Sequence, residues 1–273
     1  MAVSRRAFMG ISALAALSGC ARVKQSRIGR LAPALEFGGD GVAKFAAIGD
    51  LHLTGARSTG LVGRAVNRIN NEPGVDFVVV LGDLTENGAL SQMNLARQAL
   101  DRLRMPVYAL PGEHDLGSGT EDPYAFYTRT FGKSQWRQNL EGWAFIGLDT
   151  CDGASGTPET PASRLEWLQN QLSHMDKKKP ITLFTHHPLE PGIPFGRPAN
   201  ADDILALFAA HNLRICASGH YHGNRAEEHN GILFTSTAAG GSNAKNDDGT
   251  DEKGFRLFTL KGAEIQHEFI AVT

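Results

Sequence analysis

The sequence predicts an α/β fold, with a mixed sheet or a pair of sheets flanked by helices and built as one domain. Three observations point there. From Val42 onward, short apolar runs alternate with stretches of helical periodicity. The last quarter changes to strand–turn–strand patterns marked by Asn230-Gly231 and Lys261-Gly262. No internal repeat or interdomain linker interrupts the chain, and 273 residues can close around one large core.

Each element has its own signal. The run VAKFAAI (42–48) reads as the first strand, and LVGRAVNRIN (61–70) as an amphipathic helix. DFVVVL (76–81) is a strand apolar enough to be buried on both faces. A helix follows in ALSQMNLARQALDRL (89–103), then a strand in PVYAL (106–110). DPYAFYTRTFG (122–132) reads as a helix and WAFIGLD (143–149) as a strand. PASRLEWLQNQLSHM (161–175) opens a helix at its proline. The strand ITLFT (181–185), the helix ADDILALFAAHN (201–212) and the strand LRICAS (213–218) complete the alternation. RAEEH, ILFTST, FRLFTL and AEIQHEFIA then read as an antiparallel set.

The N-terminus reads differently. Arg5-Arg6 and Phe8 precede a short apolar segment that ends in LSGC (17–20). A positive head before an apolar stretch too short to span a bilayer is the layout of an export signal. The arginine pair resembles a twin-arginine signal, implying the twin-arginine export machinery as a partner. LSGC resembles a lipobox, so residues 1–19 would be the signal and Cys20 the lipidated first residue. Residues 20–40 would be a lipid-anchored tether to the membrane, and 41–273 the folded domain. The expected location is periplasmic or cell-surface. Cys151 and Cys216 read as small buried fillers, with a disulfide between them as the alternative. A net charge of -2 leaves no nucleic-acid footprint, and Lys177-Lys178-Lys179 reads as a solvated turn.

Chemistry gathers at the strand ends. The first strand leads to Asp50 and His52, the second to Asp83, Glu86 and Asn87, and the third to Glu113, His114 and Asp115. THHP then carries His186 and His187, and GHYH carries His220 and His222. Six of the ten histidines lie in these motifs, so their placement is not a scatter of surface rings. In open α/β sheets, ligands bind beyond the carboxyl ends of strands, so the five clusters should share one rim. Residues two apart on an extended segment face the same side, so Asp50 with His52 and His220 with His222 can each address one ion. Imidazoles mixed with carboxylates suit Zn, Mn or Fe better than Mg or Ca alone.

The succession D-x-H, G-D-x-x-x-N-G, G-x-H-D, H-H-P and G-H-x-H over residues 43–223 resembles the calcineurin-like metallophosphoesterase family. It is most similar to the bacterial cyclic-nucleotide and glycerophosphodiester phosphodiesterase branch. The resemblance implies a four-layer α/β/β/α sandwich with two mixed sheets flanked by helices. It also implies two transition-metal ions. Asp50, His52 and His222 would hold the first, His186, His220 and residue 113 the second, and Asp83 would bridge them. His114 would face the scissile phosphate, and Glu86 stands where the family often has an Asp that orients that histidine. Asn87 would touch a phosphate oxygen or simply form a turn with Gly88. His187 would pack or meet substrate rather than ligate, and Asp115 would brace the loop. The implied reaction is hydrolysis of a small phosphodiester or phosphomonoester by a hydroxide bridging the ions.

Glu113 departs from the pattern, because the family usually has Asn there. With two divalent ions, Asp50, Asp83, Glu113 and a hydroxide bring the core to neutrality, where Asn would leave one positive charge. Three readings stay open: ligation of a trivalent ion, ligation of a divalent ion at reduced activity, or a side chain that swings away. The alternative function is therefore a metal- or phosphate-binding lipoprotein without turnover. Residues 117–127, 151–161, 190–200 and 238–254 would form the rim that selects substrate.

Overall fold

The computed structural model describes residues 41–117, 121–153 and 155–272. The signal, Arg5-Arg6, Cys20 and the tether therefore lie outside the described residues. Among those described, no helix is long and apolar enough to cross a membrane.

Among the described residues, eleven strands form two sheets. The first orders β11 (Glu264–Ala271), β10 (Gly254–Lys261), β1 (Val42–Ile48), β2 (Phe77–Leu81) and β3 (Val107–Leu110). β1, β2 and β3 run parallel, and β10 joins β1 antiparallel. The second orders β4 (Trp136–Leu140), β5 (Trp143–Gly147), β6 (Pro180–Phe184), β7 (Asn212–Ser218), β9 (Ile232–Ser236) and β8 (Arg225–His229). β5, β6, β7 and β9 are parallel, with β4 and β8 as antiparallel edges.

Alternation along each strand assigns the layers. Ala43, Phe45 and Ala47 of β1, with Phe77, Val79 and Leu81 of β2, enter the core between the sheets. Their neighbours Ala46, Ile48, Val78 and Val80 face a second core with α1 (Thr59–Asn71), α2 (Leu90–Leu100) and α3 (Ala125–Phe131). On the other sheet, Trp143 and Phe145 point inward, whereas Ala144 and Ile146 face α4 (Ala162–Ser173) and α5 (Ala201–Ala206). Helix, sheet, sheet and helix are thus four layers, as the sequence led us to expect. Phe45 anchors the middle. It stacks on Phe77 and Phe258 with centroids at 5.2 and 4.7 Å and meets Phe145 and Phe184 edge-on.

Three elements differ from the sequence reading. β4 was not anticipated, because WRQNL mixes polar with apolar residues as an edge strand does. The helix from 201 stops at Ala206, well short of residue 212. The C-terminal antiparallel set divides: β8–β9 completes one sheet and β10–β11 the other. Cys151 and Cys216 are free and buried, as the filler reading holds.

Candidate metal centre

The functional side chains sit just past the carboxyl ends of β1, β2, β3, β6 and β7. The first three strands belong to one sheet and the last two to the other, so the centre draws on the carboxyl ends of strands from both. The common rim expected from sequence is present: among the described residues four overlapping groups of potential ligands form, each with its ligand atoms within 4.8 Å of one another, and two of them hold four residues each.

The reason the pairs converge differs from the expected one. Asp50, His52, Asp83, His220 and His222 are not extended; their φ angles are 53°, 43°, 50°, 62° and 52°. Side-chain-bearing residues rarely adopt the left-handed region, and each such residue costs on the order of 1–3 kcal/mol. Five at one site is a concentration of backbone strain where ligands are aimed. Gly112 allows close approach, since a Cβ there would stand 2.1 Å from Asp83 Oδ1.

The first group contains Asp50, His52, Asp83 and His222. His52 Nε2 lies 3.4 Å from Asp83 Oδ2 and 3.3 Å from His222 Nε2, and His222 Nε2 lies 3.4 Å from Asp50 Oδ1. Burial pushes the Asp50 carboxyl up, but His222 foremost, then His186 and His52, outweigh it and hold it at about 2. Burial likewise opposes charge on His222, yet Asp50 carries its ring up to about 9. Its Nδ1 meets the Lys245 carbonyl at 3.0 Å, and Asn243 donates to the His52 carbonyl at 2.9 Å, so the 238–254 segment does reach the rim.

The second group contains Glu113, His186, His187 and His220. Glu113 points into it rather than away. Its Oε2 is 2.9 Å from His186 Nε2 and 3.2 Å from His187 Nε2, and its Oε1 is 3.0 Å from His220 Nδ1. Burial works to raise the Glu113 carboxyl, but His186, His187 and His220 hold it well below the usual carboxylate range. Burial pushes the His187 ring down to about 4, against the pull of Glu113. Asp50 Oδ2, Glu113 Oε2, His186 Nε2 and His187 Nε2 are all buried without a hydrogen bond. Buried polar atoms are ordinarily paired, so orphaned ligand atoms facing one another fit a bound cation. These residues therefore suit the metal that the sequence implies.

Asp83 stands between the groups, its Oδ2 3.4 Å from His52 Nε2 and 3.5 Å from His186 Nε2. His114 lies beside both. The Glu86 backbone carbonyl accepts from its Nδ1 at 2.8 Å, leaving Nε2 toward Glu113 at 4.0 Å. Burial opposes charge on His114, but Asp83, the Glu86 carbonyl and Glu113 raise its pKa overall. This corrects the expected part of Glu86: its carboxylate meets His52 Nδ1 at 3.1 Å, and only its main chain orients His114. Asn87 is exposed, and its N–H donates to Gln92 Oε1 at 3.1 Å. Asp115 braces the loop as read, accepting from the N–H groups of Leu84, Thr85 and Gly112.

Sequence reasoning missed two neighbours. Thr150 Oγ1 lies 2.9 Å from His187 Nδ1, and nothing in TCDG marks it as a histidine partner. Phe195, 43% exposed and the one exposed large apolar side chain among the described residues, lies 6.2 Å from the His220 ring. Its signal was an aromatic in a Pro/Gly-rich rim segment, PGIPFGRP.

Residues 43–224 match the calcineurin-like phosphoesterase family. The chain is 31% identical over 123 residues to a probable glycerophosphodiester phosphodiesterase of Arcobacter nitrofigilis, covering 44% of this chain and 45% of that protein. It thus spans less than half of that relative. It is 24% identical over 201 residues to a probable cyclic nucleotide phosphodiesterase of Xenorhabdus bovienii, covering 67% of this chain and 80% of that one. Among solved structures, GAP50, the anchor in the inner membrane complex of Plasmodium, superposes with a TM-score of 0.65 at 19% identity, covering 84% of each chain. At that identity the likeness concerns the fold alone.

Proposed function

The chain belongs to the calcineurin-like phosphoesterase family, and from that premise we propose that it hydrolyses a small phosphate ester, most naturally a phosphodiester, at a dinuclear metal centre. The observation that carries this reading is Asp83, whose Oδ2 is nearly equidistant from a histidine of each group, 3.4 and 3.5 Å away. Asp50, His52 and His222 would hold one ion, His186, His220 and Glu113 the other, and Asp83 would serve both. The donor set suits Fe, Mn or Zn. When bound, such ions supply Lewis acidity at the phosphoryl oxygens and an acidified water for attack on phosphorus.

The chain's own residues do the rest. His114, fixed through Nδ1 on the Glu86 carbonyl, presents Nε2 to the centre. From there it would donate a proton to the departing alkoxide oxygen. Glu86 orients His52 through Nδ1, and Asn87 on the rim is available to a phosphate oxygen. Phe195 offers a flat apolar surface beside His220, suited to a base or another aromatic leaving group. That surface agrees better with a nucleotide diester than with a glycerol diester.

The test is hydrolysis of bis(p-nitrophenyl) phosphate by protein loaded with Mn or Zn. Metal-dependent turnover supports the reading. Stoichiometric metal binding with no hydrolysis of any ester favours a binding protein without turnover, the reading that the extra negative charge of Glu113 supports. We further propose that the protein is exported through the twin-arginine machinery and anchored at Cys20. Palmitate labelling that survives Cys20→Ser, or export that survives Arg5 and Arg6→Lys, would refute those two points.

A further inference from the structure

We propose that His187 is a ligand of the second ion, so that this site presents three imidazoles and the Glu113 carboxylate. The inference rests on the dinuclear reading and assigns a residue that the sequence pattern left as packing or substrate contact. It begins from hydrogen-bond bookkeeping. His186 Nδ1 lies 2.7 Å from the Leu81 carbonyl oxygen, which can only accept. The neutral ring therefore carries its proton on Nδ1 and turns the Nε2 lone pair inward. His187 Nδ1 also meets an oxygen, here a hydroxyl that can accept or donate. Thr150 Oγ1 is 2.9 Å from Nδ1 and also receives the His187 backbone N–H at 3.3 Å. With Nδ1–H donated to that oxygen, the His187 Nε2 lone pair also faces inward.

Between the two rings lies Glu113 Oε2, a third acceptor, 2.9 Å from His186 Nε2 and 3.2 Å from His187 Nε2. The opposite tautomer of His187 does not resolve the contact, because neither its Nε2 nor Glu113 Oε2 makes a hydrogen bond. Both histidines are wholly buried, so their Nε2 atoms are shielded from bulk solvent. Three acceptors directed at one buried point call for a cation. The ring centroids of His186, His187 and His220 stand 4.9, 4.6 and 5.1 Å apart, a compact triangle over the carboxylate.

The same bookkeeping explains why residue 113 is Glu. An Asn side chain carries an NH2 group that can donate to a neighbouring imidazole lone pair and keep it from a metal. A carboxylate has nothing to donate. Glu113 and His187 thus act together: the acid leaves the second imidazole free to ligate, and the added imidazole favours Zn, Fe or another imidazole-seeking ion over Mg or Mn.

Zn2+ binding to the full chain, measured by competition with a chromophoric chelator and by metal content after gel filtration, tests this. In the unsubstituted protein two ions are expected. His187→Ala should weaken one of them about 100-fold or more and leave the other unchanged. Thr150→Val should weaken the same ion by roughly 10- to 100-fold through the ring it orients. Glu113→Asn should restore a hydrogen bond to His187 and make a following His187→Ala nearly neutral for metal. His187→Phe keeps the volume without a ligand atom, and it serves if the alanine variant fails to fold in chelator. Two ions held with unchanged affinity in a folded His187 variant overturn the inference and leave the dinuclear reading standing. No second ion in the unsubstituted protein overturns both.

Discussion

Gly112→Ala separates the packing that builds the centre from the ligands themselves. The added methyl would stand 2.1 Å from Asp83 Oδ1, 2.6 Å from the Asp83 backbone nitrogen and 2.7 Å from its Cγ. Ordinary contact begins near 3.4 Å, so the carboxylate has to retreat by about 1.3 Å. Backbone on the other side cannot absorb that, because Asp83 Oδ1 already accepts the His114 N–H at 3.1 Å. Overpacking of this kind costs about 1–3 kcal/mol of stability. The effect on the centre is larger. Ligand distances are held within about 0.2 Å, and a 1 Å misplacement costs roughly 100-fold in rate. Metal content, turnover of bis(p-nitrophenyl) phosphate and unfolding in chelator should be measured on one preparation. The expected result is a modest loss of stability with loss of at least one ion and about 100-fold or more of the rate. Gly60→Ala is the control: nothing lies within 4 Å of its Cβ, and it sits in α1, where Ala gains up to about 1 kcal/mol. Full metal content and full rate in Gly112→Ala would refute the argument that Asp83 is positioned by this contact.

His114→Ala should lower kcat by about 10²–10⁴-fold with metal content unchanged, and less for a p-nitrophenolate leaving group, which needs little protonation. An equal loss for alkyl and p-nitrophenyl esters would argue against the acid role. Phe195→Ala should raise KM for cyclic nucleotides several-fold and leave a glycerophosphodiester unaffected; equal effects would show that the ring does not meet the leaving group. Phe45→Ala removes a fully buried ring that touches four other aromatics, at about 3–5 kcal/mol. At roughly 2–4 °C per kcal/mol, Tm should fall by about 6–20 °C. A drop below about 2 °C in calorimetry would mean the two sheets do not depend on this ring.

Much of the site was legible because its chemistry is concentrated at strand ends. A buried parallel strand is an apolar run, so the first polar residues after it stand out, and Asp50, Asp83 and Glu113 all announce themselves in this way. The D-x-H and H-x-H spacings led to the right convergence by the wrong geometry. They suggested extended segments, whereas the chain turns through left-handed residues, a conformation Asp and His adopt more readily than most side chains but that their spacing does not announce. For His187 the family resemblance implied packing or substrate contact rather than ligation, and nothing in the sequence showed how near it stands to Glu113. The chain leaves β6 after Phe184, and both rings then meet Glu113 from the same side of the site.

Long-range pairing was lost for a related reason. Asn230-Gly231 and Lys261-Gly262 specify hairpins, because turn chemistry is local. Which sheet each hairpin joins is not set by its turn: β9 lies beside the nearby β7, whereas β10 lies beside β1, more than two hundred residues away. Local and long-range information meet at the candidate metal centre. Its candidate ligands come from both sheets, so their individual identities are local information, while their grouping is set by how the sheets stack on Phe45 and its neighbours. A family pattern can supply ligand identities position by position. Glu113 was visible as a departure from that pattern, yet its consequence was not. The partner that gives the carboxylate a role, His187, lies seventy-four positions further on and is brought to it only by the packing of one sheet on the other.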